Sequence, residues 1–304
     1  MILAANVLPE FSIVTPSYNQ LDWLRLALAS VADQTSATVE HIIQDAGSKD
    51  INEIIEKLTM SGPANCEVRL FLEKDSGMYD AINRGLAKAR GNICAWLNSD
   101  EQYLPNALHK VANFFAENPK IDILFGDVLV VDAHGKALSC RRAILPSPNH
   151  VRLSHLNTSS CATFFRRSVF EQGHRFDPNW KSIGDGVWVY GMLKAGLRAA
   201  TYPNLLSAFT LTGANLSMDD PVSQSEKEKW LAQPDAPAKI FRPYYVALHR
   251  VKKFLAGAYR KRTFDYEIYT LDSPSRRVRF TAYKVGGTWK VPSTKTNDAD
   301  HPKR

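Results

Sequence analysis

Residues 93–101, Ile93-Cys94-Ala95-Trp96-Leu97-Asn98-Ser99-Asp100-Glu101, read as a short buried strand that runs straight into a polar, acidic group. An unbroken apolar run of this length, with Gly91 ahead of it and Asn98 behind, suits a strand covered on both faces. The same pattern occurs three times upstream. Phe11-Ser12-Ile13-Val14 leads into Thr15-Pro16-Ser17-Tyr18-Asn19, residues 39–44 lead into Asp45-Ala46-Gly47-Ser48, and residues 68–72 lead into Glu73-Lys74-Asp75-Ser76-Gly77. Amphipathic stretches lie between them. Leu21, Leu24, Leu28 and Val31 share one helical face, as do Ile51, Ile54, Ile55 and Leu58. A third helix is expected over 78–89, stopped near Gly91, and a fourth over 105–115. Residues 121–131 read as a longer strand that turns at Ala133-His134-Gly135.

Strands alternating with helices imply a mostly parallel central sheet flanked by helices. Sheets of that kind bind ligands at the carboxyl ends of their strands. All four strand ends here are polar and three carry carboxylates, so a site is expected there.

The bulk composition agrees with a soluble globular chain. Of 304 residues, 44% are hydrophobic and 23% charged, enough for one large core with an extension. No apolar run reaches the ~18–20 residues of a membrane span, and residues 1–9 lack the basic start of a signal peptide. Cys66, Cys94, Cys140 and Cys161 form no CxxC pair, which suits reduced thiols in a cytoplasmic protein.

The net charge of +7 is unevenly placed: residues 239–304 carry 16 Lys and Arg against 5 Asp and Glu. That segment shows no zinc-finger, RNP or heptad pattern, so no nucleic-acid partner is expected. The texture suggests four divisions: a catalytic domain over 1–217, a linker over 218–238, a basic helical and β extension over 239–290, and a disordered tail over 291–304. In the extension, residues 239–262 read as a basic amphipathic helix and 264–289 as one or two hairpins. The helix suits either an anionic membrane surface, with the enzyme peripheral at the inner face, or packing on the catalytic domain.

The loop after the first strand excludes the dinucleotide-binding class. There is no GxGxxG at Thr15-Pro16-Ser17-Tyr18-Asn19, and the chain has no GxxxxGK[ST] anywhere, so a P-loop is excluded too. Nucleotidyl transferases would need a Gly-rich loop with Lys or Arg at that place, which is also absent. Asp100 remains. A single carboxylate at a strand end can hold Mg2+ or Mn2+, because these ions take few protein oxygens and complete their shell from phosphate and water. It can equally cap the next helix, as can Ser99.

Five segments taken in order resemble family 2 glycosyltransferases of the bacterial polysaccharide type, over about 200 residues. They are Ile13-Val14-Thr15-Pro16-Ser17-Tyr18-Asn19, Ser30-Val31-Ala32-Asp33-Gln34-Thr35, Asp45-Ala46-Gly47-Ser48-Lys49-Asp50, the run from Glu73 to Gly85 that is similar to ExDxGxYDAxNxG, and Asn98-Ser99-Asp100 in the place of a DXD-type motif. The resemblance implies a GT-A fold with a Rossmann-like central sheet. It also implies an inverting hexosyltransferase that moves a sugar from a UDP-, GDP- or dTDP-linked donor to a saccharide or lipid-linked saccharide acceptor, with Mg2+ or Mn2+ as cofactor.

The same resemblance implies roles for individual residues. Thr15, Pro16, Tyr18 and Asp45 would surround the nucleotide, with Ser48, Asp75, Asp80, Asn83, Asn98 and Ser99 completing the nucleotide-sugar site and Asp100 binding the metal. Ile183-Gly184-Asp185-Gly186 falls where the family has an acidic motif, making Asp185 the general base; as residues alone, Asp185 also suits a helix cap. Two departures stand out: Ala46 replaces a second aspartate, and Ser160-Cys161 replaces a His-Gln pair. They leave open a catalytically weakened, donor- or glycan-binding module of the same fold.

Overall fold

The computed structural model describes residues 8–60, 63, 65–213, 215 and 221–287. The expected tail and the 217–218 boundary fall outside the described residues, and so do the side chains of Ile54 and Leu58.

The first half shows the alternation expected: β1 (Phe11–Ser17), α1 (Leu21–Ala32), β2 (Val39–Asp45), α2 (Ile51–Met60), β3 (Cys66–Leu72), α3 (Met78–Leu86) and β4 (Ile93–Trp96). Next come β5 (Glu101–Tyr103), α4 (Ala107–Glu117), β6 (Ile123–Asp132), β7 (Ala137–Arg141), α5 (Pro148–Leu153), β8 (Thr163–Arg166), α6 (Arg167–Glu171), α7 (Gly184–Lys194) and β9 (Ala199–Leu211). The C-terminal part holds α8 (Pro221–Leu231), α9 (Arg242–Leu255), β10 (Arg262–Thr270) and β11 (Ser273–Val285).

The central sheet runs β3-β2-β1-β4-β8-β6-β9-β5, with β7 paired to β6. Strands β3, β2, β1 and β4 are parallel, as is the β6–β9 pair, while β8 and β5 are antiparallel to their neighbours. The result is a mixed α/β fold of the GT-A kind with a mostly parallel sheet between helices. Alternation along β1 divides the core: Phe11 and Ile13 pack with Ala27, Val31, Leu108 and Val111 of α1 and α4, while Val14 packs with Tyr79, Ile82 and Leu86 of α3. Trp96, at the end of β4, is 1% exposed and meets Phe176 and Trp188 edge-on, with ring centroids 5.0 and 5.5 Å away. Each such pair contributes roughly 0.5–1.5 kcal/mol beyond area burial. This aromatic cluster seats α7 beneath the carboxyl ends of the parallel strands.

One region differs from the sequence expectation. Residues 218–238, expected to be a linker, contain α8, whose Trp230 is buried against Val151 and Tyr190. Pro221 occupies the first helical position, where a missing N–H costs nothing, so it starts a helix instead of breaking one. The extension forms one hairpin, β10–β11, within the one or two expected, and it is fastened to the catalytic part. Arg277 makes a bidentate pair with Asp33 (2.5 and 2.8 Å), and Gln102 exchanges two hydrogen bonds with the backbone of Tyr269. Among the described residues no helix is long and apolar enough to cross a membrane.

Candidate active site

A cleft of about 580 Å3 opens at the carboxyl ends of β1 and β4. Pro16, Ser17, Tyr18, Asp75, Asn98, Ser99, Asp100 and Asp185 all line it, so positions up to 169 apart in the chain share one cavity. Tyr18 is 61% exposed, with its ring free to meet a planar group.

The other expected residues lie behind the walls. Thr15 is fully buried, its Oγ1 2.8 Å from His41 Nε2. Strand β1 continues through Ser17, and that turns the Thr15 side chain into the core. Asp45, also buried, accepts from the Gly47 and Ser48 amides and the Ser48 hydroxyl at 2.6–2.8 Å, closing the β2–α2 turn. Ser48 in turn accepts from the Asn19 amide at 2.7 Å and so ties the Tyr18 loop to that turn. Asp80 accepts from Ser76 and pairs with Arg84, while Asn83 bonds both ways to the backbone of Phe176 at 2.7 and 3.0 Å. These five side chains shape the cleft from outside it.

The Asn98-Ser99-Asp100 loop is built on buried acid. Glu101 is inaccessible to solvent and accepts from the Asn98 amide (2.8 Å) and the Ser160 hydroxyl (2.6 Å). Burial, with Asp100 adjacent, pushes its carboxyl up to about 8, and burial lifts Asp100 to about 6. Asp100 is held by Asn215, whose Nδ2 donates to Oδ2 at 2.8 Å. Strand β5 intervenes before α4, which begins only at Ala107 behind Asn106, so Asp100 does not cap that helix. Asn98 Oδ1 is buried with no hydrogen-bond partner among the described residues. An orphaned amide oxygen beside a carboxylate whose ionisation is disfavoured by burial is a hard-oxygen donor set, and it fits Mg2+ or Mn2+.

Asp185 stands in the first turn of α7, which starts one residue earlier, at Gly184. Its Oδ1 accepts from the Gly186 amide at 2.7 Å, and its own amide donates to the Tyr79 hydroxyl at 3.1 Å. Gly184 is required here, because a Cβ would come within 2.5 Å of the Tyr79 ring. Burial raises the Asp185 carboxyl above its usual value, which strengthens it as a proton acceptor. Lys181 and Glu226 hold the preceding loop. Lys181 Nζ donates to Ser76 O (2.7 Å), and the Glu226 carboxylate accepts from the amides of Lys181, Ser182 and Ile183 at 2.6, 2.9 and 3.1 Å.

Asp185 and Ser182 also line a second cavity of about 510 Å3, with Arg152, His155, Lys227, Trp230, Lys239 and Arg242. Apart from Asp185 its charged lining is basic. The sequence alone points to none of Lys181, Asn215 or Glu226 as part of this site. Tyr79 and Ser160 have local signals, Tyr79 inside the run from Glu73 to Gly85 and Ser160 in the place of the His-Gln pair.

The cleft thus lies at parallel strand ends, with oxygen donors and a separate, half-buried carboxylate on its walls. The chain belongs to glycosyl transferase family 2, whose model matches residues 12–173, and it is a glycosyltransferase. Over 183 residues it is 32% identical to a PGL/p-HBAD biosynthesis glycosyltransferase of Mycobacterium tuberculosis, covering 58% of this chain and 67% of that one. Two solved structures share the fold. Residues 1–349 of TarS from S. aureus, in complex with UDP-GlcNAc, superpose with a TM-score of 0.54 at 18% identity, over 81% of this chain and 73% of that one. The mannosyltransferase PcManGT from Pyrobaculum calidifontis, in complex with GDP-Man and Mn2+, gives 0.53 at 16% identity, over 83% and 73%.

Proposed function

We propose that the protein is an inverting hexosyltransferase that moves a sugar from a nucleotide-sugar donor to an acceptor hydroxyl in surface polysaccharide or glycoconjugate assembly. The observation that carries this reading is the shared cleft: Asp100 and Asp185, on different elements, face one cavity large enough for a nucleotide sugar. The donor, UDP-, GDP- or dTDP-linked, lies with its base near Tyr18 and Pro16 and its diphosphate near Asn98, Ser99 and Asp100. Asp75 borders the sugar. Thr15, Asp45, Ser48, Asp80 and Asn83 hold the loops that form these walls.

In the transfer, the acceptor hydroxyl oxygen attacks the anomeric carbon from the face opposite the diphosphate. The new C–O bond forms as the bond to the diphosphate oxygen breaks, and that oxygen leaves with the electron pair. The hydroxyl proton passes to the Asp185 carboxylate, which contributes a factor of roughly 10²–10⁴. Asp100 and Asn98 would hold the Mg2+ or Mn2+, which when bound would supply charge neutralisation for the leaving diphosphate.

The acceptor enters through the second cavity, which meets the first at Asp185. Its basic lining suits a negatively charged acceptor such as a lipid-linked phosphosaccharide. Helix α9 supports a location at an anionic membrane. Tyr244, Val251, Phe254 and Leu255 are 54–78% exposed, and Ile240 and Phe241 just before the helix are 81% and 54% exposed. Lys239, Arg242, Arg250, Lys252 and Lys253 are interspersed with them. An apolar stripe flanked by cations is the pattern of a helix lying in the headgroup region. On this reading the enzyme works in the cytoplasm, peripheral to the inner membrane face.

The test is a panel of nucleotide sugars with Mn2+ or Mg2+, read as thermal stabilisation and slow donor hydrolysis. One donor should raise the melting temperature in a metal-dependent way, and Asp100→Ala should lose that response. Asp185→Asn should keep it while transfer to acceptor falls. Failure of every donor to bind overturns the reading.

A further inference from the structure

Three histidines meet away from the cleft. His150 lies in α5, His155 comes just after that helix, and His249 projects from α9. One ring nitrogen from each comes within 4.8 Å of the other two. The His150 and His249 rings stack with centroids 4.0 Å apart, and His155 stands edge-on to both, at 4.9 and 5.7 Å. His150 and His249 are 3% and 7% exposed, and the Nε2 atom of each is buried with no hydrogen-bond partner among the described residues. A buried imidazole nitrogen without a partner is costly, and two of them on rings that stack against each other call for an explanation.

We propose that His150, His155 and His249 form a binding site for a single transition-metal ion of the Zn2+ type, and that the ion fastens α9 to α5. Three imidazoles with one open position are a common zinc arrangement, with metal–nitrogen bonds of about 2.0–2.1 Å and hence ~3.4 Å between ligand atoms. Reaching it from the present spread of up to 4.8 Å requires the stacked His150 and His249 rings to turn their nitrogens toward a common point. The Ser154 hydroxyl lies 2.9 Å from His155 Nδ1 and orients that ring, so Nε2 is the nitrogen it would offer an ion. The donor set is all nitrogen, which selects Zn2+, Co2+, Ni2+ or Cu2+ and rejects the Mg2+ or Mn2+ suited to the oxygens at Asp100.

The metal-ligating cluster contains no carboxylate to offset the ion's charge, so its open position would favour an anion. His249 is the one buried residue of α9, whose exposed apolar stripe lies elsewhere on the helix. The ion would therefore set how that stripe is presented, and would do so beside the Lys239 and Arg242 wall of the second cavity. None of this depends on which sugar is transferred.

The experiment uses the full chain carrying Asp100→Ala, which silences the oxygen site, after chelator treatment and dialysis. Titration with Co2+ should give one bound ion per chain with the intense visible absorption of tetrahedral nitrogen coordination, and Zn2+ should displace it and raise the melting temperature. His155→Ala in the same background, at an exposed position the fold tolerates, should lose the Co2+ band and weaken Zn2+ binding by about tenfold or more. His249→Ala should do the same. Absence of the Co2+ band, or equal Zn2+ affinity with and without His155, overturns the proposal.

Discussion

The Tyr79 hydroxyl accepts a hydrogen bond from the backbone amide of Asp185 at 3.1 Å, across 106 positions of sequence. The same hydroxyl lies 3.3 Å from Ser182 O, to which it donates, and the ring stacks on Phe176. The donor-side helix α3 thereby sets the start of the helix that carries the proposed base. Tyr79→Phe keeps the ring and leaves the Asp185 amide unpaired. It should lower stability by about 1–3 kcal/mol and reduce kcat several-fold, with donor KM little changed. Unfolding curves beside steady-state kinetics check this; an unaltered kcat would remove Tyr79 as a positioning residue.

Asp100 gives a pH dependence with a definite sign. Burial raises its carboxyl from 3.8 to about 6, so the folded state prefers the protonated form. Without metal, stability is favoured below the unfolded value near 4 and is lost as the pH passes the folded value near 6. Glu101, raised from 4.5 to about 8, extends the same trend upward. Asp100→Asn removes one ionisation, so at about pH 8 the metal-free variant should be the more stable by on the order of 1–3 kcal/mol, and the gap should close near pH 4. Melting temperatures of both proteins across that range decide it.

Glu226 receives three consecutive amides from the loop before Asp185. Glu226→Gln retains one acceptor oxygen and introduces an NH2 that faces donors. Loss of about 1–3 kcal/mol of stability is expected, together with a raised acceptor KM and an unchanged donor response. Acceptor and donor titrations on one preparation separate these effects.

Sedimentation with vesicles tests α9. Phe254→Glu with Leu255→Glu alters side chains that are 73% and 78% exposed, so folding should be unaffected. Binding to vesicles containing anionic lipid should fall by about tenfold or more, and binding of the unaltered protein should weaken as salt rises. Equal binding of both proteins would end the membrane reading.

The parallel half of the sheet is legible in the sequence because its signals are local. Each of β1 to β4 is a short apolar run with a polar end, and each helix between them shows its own apolar face. The antiparallel member β5 is not, since three residues are too few to display a period. Helix α8 is equally hidden: it buries only Ser223 and Trp230 among its side chains, which leaves no stripe to read.

The sequence by itself determined that Asp100 ends a buried strand, that Asp185 lies at a helix start, and that basic charge gathers beyond residue 239. Only the tertiary structure decided that these two carboxylates share a cleft, that Thr15 and Asp45 face away from it, and that α9 turns a histidine inward and an apolar stripe outward. The reason is one of range. Periodicity and turn chemistry act within about a dozen residues, whereas Asn215 reaches Asp100 across 115 positions and Ser160 reaches Glu101 across 59. Hydrogen bonds between such distant side chains leave no periodic trace; they exist because packing of the sheet and helices brings the partners to 2.8 and 2.6 Å of each other.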